Sequence, residues 1–183
     1  MNLRLVAAVL GCVGAFQANA LLLTPSTSGV IEGTAYGPDN CEPACVEKVF
    51  DTEKLTLLYK ADVGESVLEE GAFAPYYQTE FKNSALDPSG AVITNLLGAW
   101  ITCGECYLAI KDGKHSPGYY FYDLSKWNGT ETITLAYFWP NEGAISHVSI
   151  WGDHASVPEP GTLSLLGAGL LAAAFRSRKK LAR

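Results

Sequence analysis

Few residues in this chain have types and contexts that could do chemistry on a substrate. Three histidines are present, His115, His147 and His154. His115 lies in "DGKHSPG", a turn context, and is expected at an exposed hairpin tip. His147 lies in "AISHVSI", where strand alternation puts it on the face opposite Val148. A hydrogen-bonded structural role is expected for it. Ser146 precedes it, but neighbours on a strand point to opposite faces, so the two cannot form a dyad. His154 has no evident partner. The chain has no G-x-S-x-G elbow, no H-E-x-x-H and no Gly-rich phosphate loop. Paired carboxylates about 5–9 Å apart could serve a glycosidase, but nothing singles out two among the 19 acidic residues. No catalytic residue is named, and the expectation is a protein that is not an enzyme.

Cysteine and aromatic side chains offer more. Cys41 and Cys45 sit in "CEPAC", Cys103 and Cys106 in "CGEC". Four cysteines in an oxidising compartment imply two disulfides, either within each pair or crossed between them. A strand holds residues three apart at about 10 Å, too far for a disulfide. Local bridges therefore require bends at Pro43 and Gly104, and crossed ones would close larger loops. A four-thiolate zinc site fits the spacing, but exported thiols oxidise first, and no metal ligand set is assigned. Among the aromatics, Tyr120 and Tyr122 fall on one strand face and Tyr119 and Phe121 on the other. One face must be core; an exposed one would let Tyr120, Tyr122 and the nearby Trp127 stack on sugar rings. Filling a β core is the competing use of such rings. Asp39, Asp112 and Asp153 occupy turn-like positions and could offer oxygens to Ca²⁺, but no D-x-D-x-D-G loop is present. Turn formation is the expected role of these aspartates, and no cofactor is expected.

Charge narrows the partners. All 19 acidic residues lie between Glu32 and Glu159, a stretch with seven lysines and no arginine, for a net charge of −12. A nucleic-acid binder needs Lys and Arg to displace counterions from phosphates, so that partner is excluded.

These residues would be positioned by strands. "KLTLLYKADV" (54–63), "YYQTEF" (76–81), "AVITN" (91–95), "YLAI" (107–110), "YYFYDL" (119–124), "TETITLAYF" (130–138) and "AISHVSIWG" (144–152) read as β segments. Asp112-Gly113 and Asn128-Gly129 are expected as hairpin turns, and 140–143 as another turn. "SVLEEGAF" (66–73) suits one helical turn. Short strands divided by Gly, Pro, Asn and Asp, with no long amphipathic helix between them, predict an all-β antiparallel sandwich.

The two ends differ from this body. "MNLRLVAAVLGCVGAFQANA" has Arg4, an apolar run and the small-x-small ending Ala18-Asn19-Ala20 that signal peptidase accepts. Residues 1–20 are read as a signal peptide cleaved after Ala20. At the other end, Pro158-Glu159-Pro160 precedes an apolar stretch from Leu163 to Phe175. Arg176, Arg178, Lys179, Lys180 and Arg183 then follow, the positive-inside signature of a stop-transfer segment. The apolar stretch is expected to be a transmembrane helix. A tripeptide, a Gly-rich apolar segment and a basic end, in that order, resemble the PEP-CTERM sorting signal of Gram-negative bacteria. The resemblance implies recognition of Pro158, Glu159 and Pro160 by an exosortase, a membrane-embedded transpeptidase-like enzyme. It further implies transient anchoring in the inner membrane and cutting near that motif. Release or attachment at the cell surface follows, often alongside exopolysaccharide.

A second resemblance covers Cys103 to Gly152. "CGECYLAIKDG", the Trp127-Asn128-Gly129 turn and "GAISHV" are similar to the extracellular domain of many PEP-CTERM proteins, which implies a jelly-roll-like sandwich. The resulting division is 1–20 signal peptide, 21–155 extracellular β domain and 156–183 sorting signal. The function expected is that of an exported surface or extracellular-matrix protein, structural or weakly glycan-binding. A carbohydrate-active enzyme of the sandwich class is the alternative.

Overall fold

A computed structural model describes residues 20–36, 39–96, 98–102, 104–113, 115–139 and 144–153. The signal peptide up to Asn19, Cys103, the turn at 140–143, His154 and the whole sorting signal lie outside the described residues. Among the described residues ten strands form two sheets. They are β1 Ala20–Leu23, β2 Ile31–Glu32, β3 Thr56–Asp62, β4 Leu68–Glu70, β5 Tyr77–Lys82, β6 Gly90–Asn95, β7 Cys106–Asp112, β8 Tyr119–Asp123, β9 Thr132–Leu135 and β10 Ile145–Gly152. The smaller sheet runs β1-β9-β6-β5 and the larger β2-β8-β7-β10-β3-β4. Every pairing is antiparallel except that of β1 with β9.

The two sheets enclose one core. Leu23, Tyr77, Ile93, Ile133 and Leu135 come from the smaller sheet, and Tyr59, Leu108, Ile110, Tyr122, Val148 and Ile150 from the larger. Alternation explains the smaller sheet, whose Gln78, Glu80 and Thr94 face water while their neighbours Tyr77, Thr79 and Ile93 are buried. It fails on the larger one. β7 is buried at all seven positions and β8 at four of five, so both faces of these strands are covered.

The outer cover comes from the segment before β3. A short helix, α1 (Ala44–Phe50), is capped by a left-handed Asp51 (φ 53°) whose N–H returns to the Glu47 carbonyl. Its Cys45, Val46, Val49 and Phe50, with Tyr36, pack over Tyr107, Ala109, Tyr119 and Phe121. Phe50 stacks on Tyr107 with ring centroids 4.1 Å apart.

Two expectations are corrected. The 66–73 stretch expected to hold a helical turn contains strand β4, which pairs Leu68, Glu69 and Glu70 with β3. The hairpin expected at Asp112-Gly113 is present as the antiparallel pair β7–β8, with Asp112 the last residue of β7 and β8 starting at Tyr119. Asn128-Gly129 is a turn but not a hairpin, since β8 and β9 belong to different sheets. The Asn128 side-chain oxygen accepts from the N–H groups of Thr130 and Glu131 at 2.9 and 2.8 Å. Gly129 has φ +79°, and a Cβ there would lie 2.1 Å from the Ile101 carbonyl oxygen, so only glycine fits.

Candidate functional sites

The densest polar cluster lies under the outer cover of the larger sheet. β10 alternation sends His147, Ser149 and Trp151 outward, and β3 register sets Asp62 beside His147. The "CEPAC" bend delivers Glu42 onto them. Cys41 and Cys45 are bridged, with Cα atoms 5.4 Å apart, and the Cys45 N–H bonds the Cys41 carbonyl at 3.1 Å. This is the local pairing of "CEPAC". Cys106 is also disulfide-bonded, while Cys103 is outside the described residues.

Glu42 has a side chain 5% exposed and sits at the centre of the cluster. Its Oε1 lies 2.7 Å from His147 Nε2 and accepts from Ser149 Oγ at 3.2 Å. Its Oε2 accepts from the Tyr119 hydroxyl at 2.9 Å. Trp151 Nε1 donates to Ser149 Oγ at 2.9 Å, and the Cys41 N–H to the Tyr119 oxygen at 3.3 Å. His147 Nδ1 lies 3.7 Å from Asp62 Oδ1, which Lys60 also pairs at 2.8 Å. Burial alone would raise the Glu42 pKa. The hydrogen bond and charge of His147, a backbone hydrogen bond and the Tyr119 hydroxyl outweigh it and bring the carboxyl down to about 2. Tyr119 moves the other way, pushed well up by burial and then by the charge of Glu42.

A serine, a histidine and a glutamate therefore meet, but not in the order of a catalytic triad. In a triad the imidazole stands between hydroxyl and carboxylate and takes the hydroxyl proton. Here Ser149 and His147 both address the same oxygen of Glu42. What the arrangement does is fasten the disulfide bend to the sheet through a fully bonded carboxylate. Sequence reading placed His147 but missed Glu42 and Ser149. Ser149 was within reach, two residues along the same strand face. Glu42 had no distinguishing signal.

The residues expected to stack on sugars are only partly accessible. Tyr120 and Tyr122 face the core, 7% and 3% exposed. This corrects their reading as a platform. β8 is flanked by β2 and β7, its inner face meets Phe138, and its Tyr119 and Phe121 lie under the outer cover. Tyr122 spends its hydroxyl on the Thr24 carbonyl at 2.8 Å. Trp127 is half-buried, with its Nε1 donating to the Glu131 carbonyl at 2.7 Å. It lines a cleft of about 360 Å³ together with Tyr122, Asp123, Lys126, Glu131 and Leu21. Trp100, exposed at 42%, was not singled out from sequence.

The aspartates do not converge. Asp112 stands at the β10 start and Asp153 beyond its end. Asp112 accepts from the N–H groups of His115 and Ala144 at 2.9 and 3.0 Å, a loop-fastening role. Among the described residues no group of three or more His, Cys, Asp or Glu side chains could hold a metal. Among them, too, no helix is long and apolar enough to cross a membrane.

Comparison with known families gives one finding. Residues 156–179 match the PEP-CTERM protein-sorting motif. The match spans Pro158, Glu159 and Pro160 and the basic residues Arg176, Arg178 and Lys179. No curated protein and no solved structure matches the chain. The motif marks a chain targeted for export and for processing by an exosortase.

Proposed function

We propose that this is an exported protein of the cell surface or extracellular matrix. Its signal peptide is removed after Ala20, and its tail is held in the inner membrane by the 163–175 helix and cut by an exosortase. The body is a jelly-roll-like sandwich without catalytic function, a structural component that binds exopolysaccharide weakly. The observation that carries the export reading is the sorting motif at 156–179. The net charge of −12 between Glu32 and Glu159 suits solubility outside the cell.

Glycan binding is assigned to the Trp127 cleft. The indole supplies an apolar face, and Asp123, Lys126 and Glu131 supply polar groups at its rim. A weak ligand is the expectation, because the Trp127 N–H is already spent within the protein. The test is binding of purified exported protein to a panel of neutral and charged polysaccharides. Retention on at least one, lost in Trp127→Ala and without release of reducing sugar, supports the reading. Release of reducing sugar favours a carbohydrate-active enzyme, with Asp123 and Glu131 as the carboxylates to examine. No retention on any polysaccharide leaves the body purely structural.

A further inference from the structure

Register places the start of β1 and the end of β10 at one end of the body. β1 begins with Ala20 beside Thr132, the first residue of β9. β9 is reached from the end of β8, where Asp123 pairs with Tyr107 at the start of β7. β10 ends with Gly152 between Cys106 and Thr56. The start of β1, the 124–131 connection and the end of β10 therefore share one end. The opposite end carries the 113–118 connection and the segment after β3. The cleft walls agree, since Leu21 of β1 and Asp123 of β8 line the same space.

The tether at this end is short. A chain spans at most about 3.5 Å per residue, so Glu159 lies within about 25 Å of Gly152 however the intervening residues run. At that range an enzyme that acts on the Pro-Glu-Pro motif works close to the folded body. What it meets is chiefly carboxylate: Glu105 and Asp123 are exposed and Glu131 half-exposed, with Lys126 among them. An anionic lipid surface would repel such an end, whereas a basic protein surface would attract it.

We propose that this end of the body is a docking face for the sorting enzyme, read alongside the motif and matched to a cationic surface on its exported side. The inference rests on the tail being an exosortase signal. During processing the β8–β9 connection and the start of β7 lie against the enzyme. The same contact is lost once the tail is cut, which frees the cleft at Trp127.

The test is pulse-chase conversion of the full chain in cells that contain the sorting enzyme. Glu105→Lys, Asp123→Lys and Glu131→Lys combined should slow tail removal about fivefold, the scale of a rim-charge effect on association. Glu65→Lys with Asp87→Lys, at the opposite end, should leave the rate unchanged. A twelve-residue Gly-Ser spacer after Asp153 lets the motif be reached without the body, and should abolish the difference between the triple variant and wild type. Equal melting temperatures of the exported variants show that folding is not the cause. The proposal is overturned if the triple variant is processed at the wild-type rate. It is equally overturned if reversal at the opposite end slows processing as much, or if the slowing persists with the spacer. Wild-type processing of Glu159→Ala, by contrast, removes the exosortase reading itself.

Discussion

From Thr56 to Gly152 the side chains are defined by what packs against them, whereas residues 156–179 are defined by a pattern that another protein reads. In the body, the Glu42 carboxylate meets three side chains, and β7 has no exposed position. In the tail, residues 156–179 match a sorting motif. The contrast separates two kinds of information. Packing specifies a fold and leaves chemistry open, while a linear tag specifies an address without specifying a fold. If they are independent, damage to one leaves the readout of the other unchanged, apart from the charged end where they adjoin.

The largest effect is expected in the tail. Glu159→Ala should abolish tail removal and leave the chain in the membrane fraction, with the melting temperature of the body unchanged. A fall in melting temperature would show that the tail is packed into the body.

Next is the centre of the outer cover. Glu42→Ala breaks a buried pair and strands His147, Ser149 and Tyr119, a loss of about 3–5 kcal/mol by urea unfolding. Its pH dependence has a definite sign. The carboxyl falls from 4.5 to about 2 on folding, so its contribution is present above about pH 4.5 and fades as pH drops toward 2. A shift of that size corresponds to about 3 kcal/mol. Glu42→Gln should flatten the stability curve in that window. An unchanged slope there would mean that some other carboxylate governs acid unfolding.

The disulfide contributes less. Its ring is short, so losing Cys41–Cys45 should cost about 2 kcal/mol by the chain-entropy estimate. Because Glu42 lies inside that ring, the Cys41→Ser/Cys45→Ser pair combined with Glu42→Ala should cost less than the sum. Strict additivity would show that the bend does not hold the carboxylate in place. Tail removal should continue in all of these variants that fold.

How legible each part was follows from the same contrast. β-rich residue types between turn formers mark seven strands, and alternation is clear where one face is wet, as on β5 and β9. It overran at "TETITLAYF". β9 stops at Leu135, since Tyr137 and Trp139 adopt φ of 64° and 43° and turn the chain so that Phe138 and Trp139 enter the core. Nothing in residue type announces a left-handed tyrosine. α1 leaves a trace, with Cys45, Val46, Val49 and Phe50 at helical spacing, but at seven residues it is too short for that spacing to stand out beside the bend of "CEPAC". β1 and β2 are four and two residues long, too short to show a period. The Glu42 cluster joins residues more than 100 positions apart, and no local pattern can report such a meeting.

The central claim is that the chain is delivered and trimmed through its tail. Mass measurement of the exported protein tests it most directly. Trimming predicts a species that begins at Leu21 and lacks everything beyond the Pro158–Pro160 region, with the basic residues 176–183 gone. An exported species that still carries those residues to Arg183 would contradict the account.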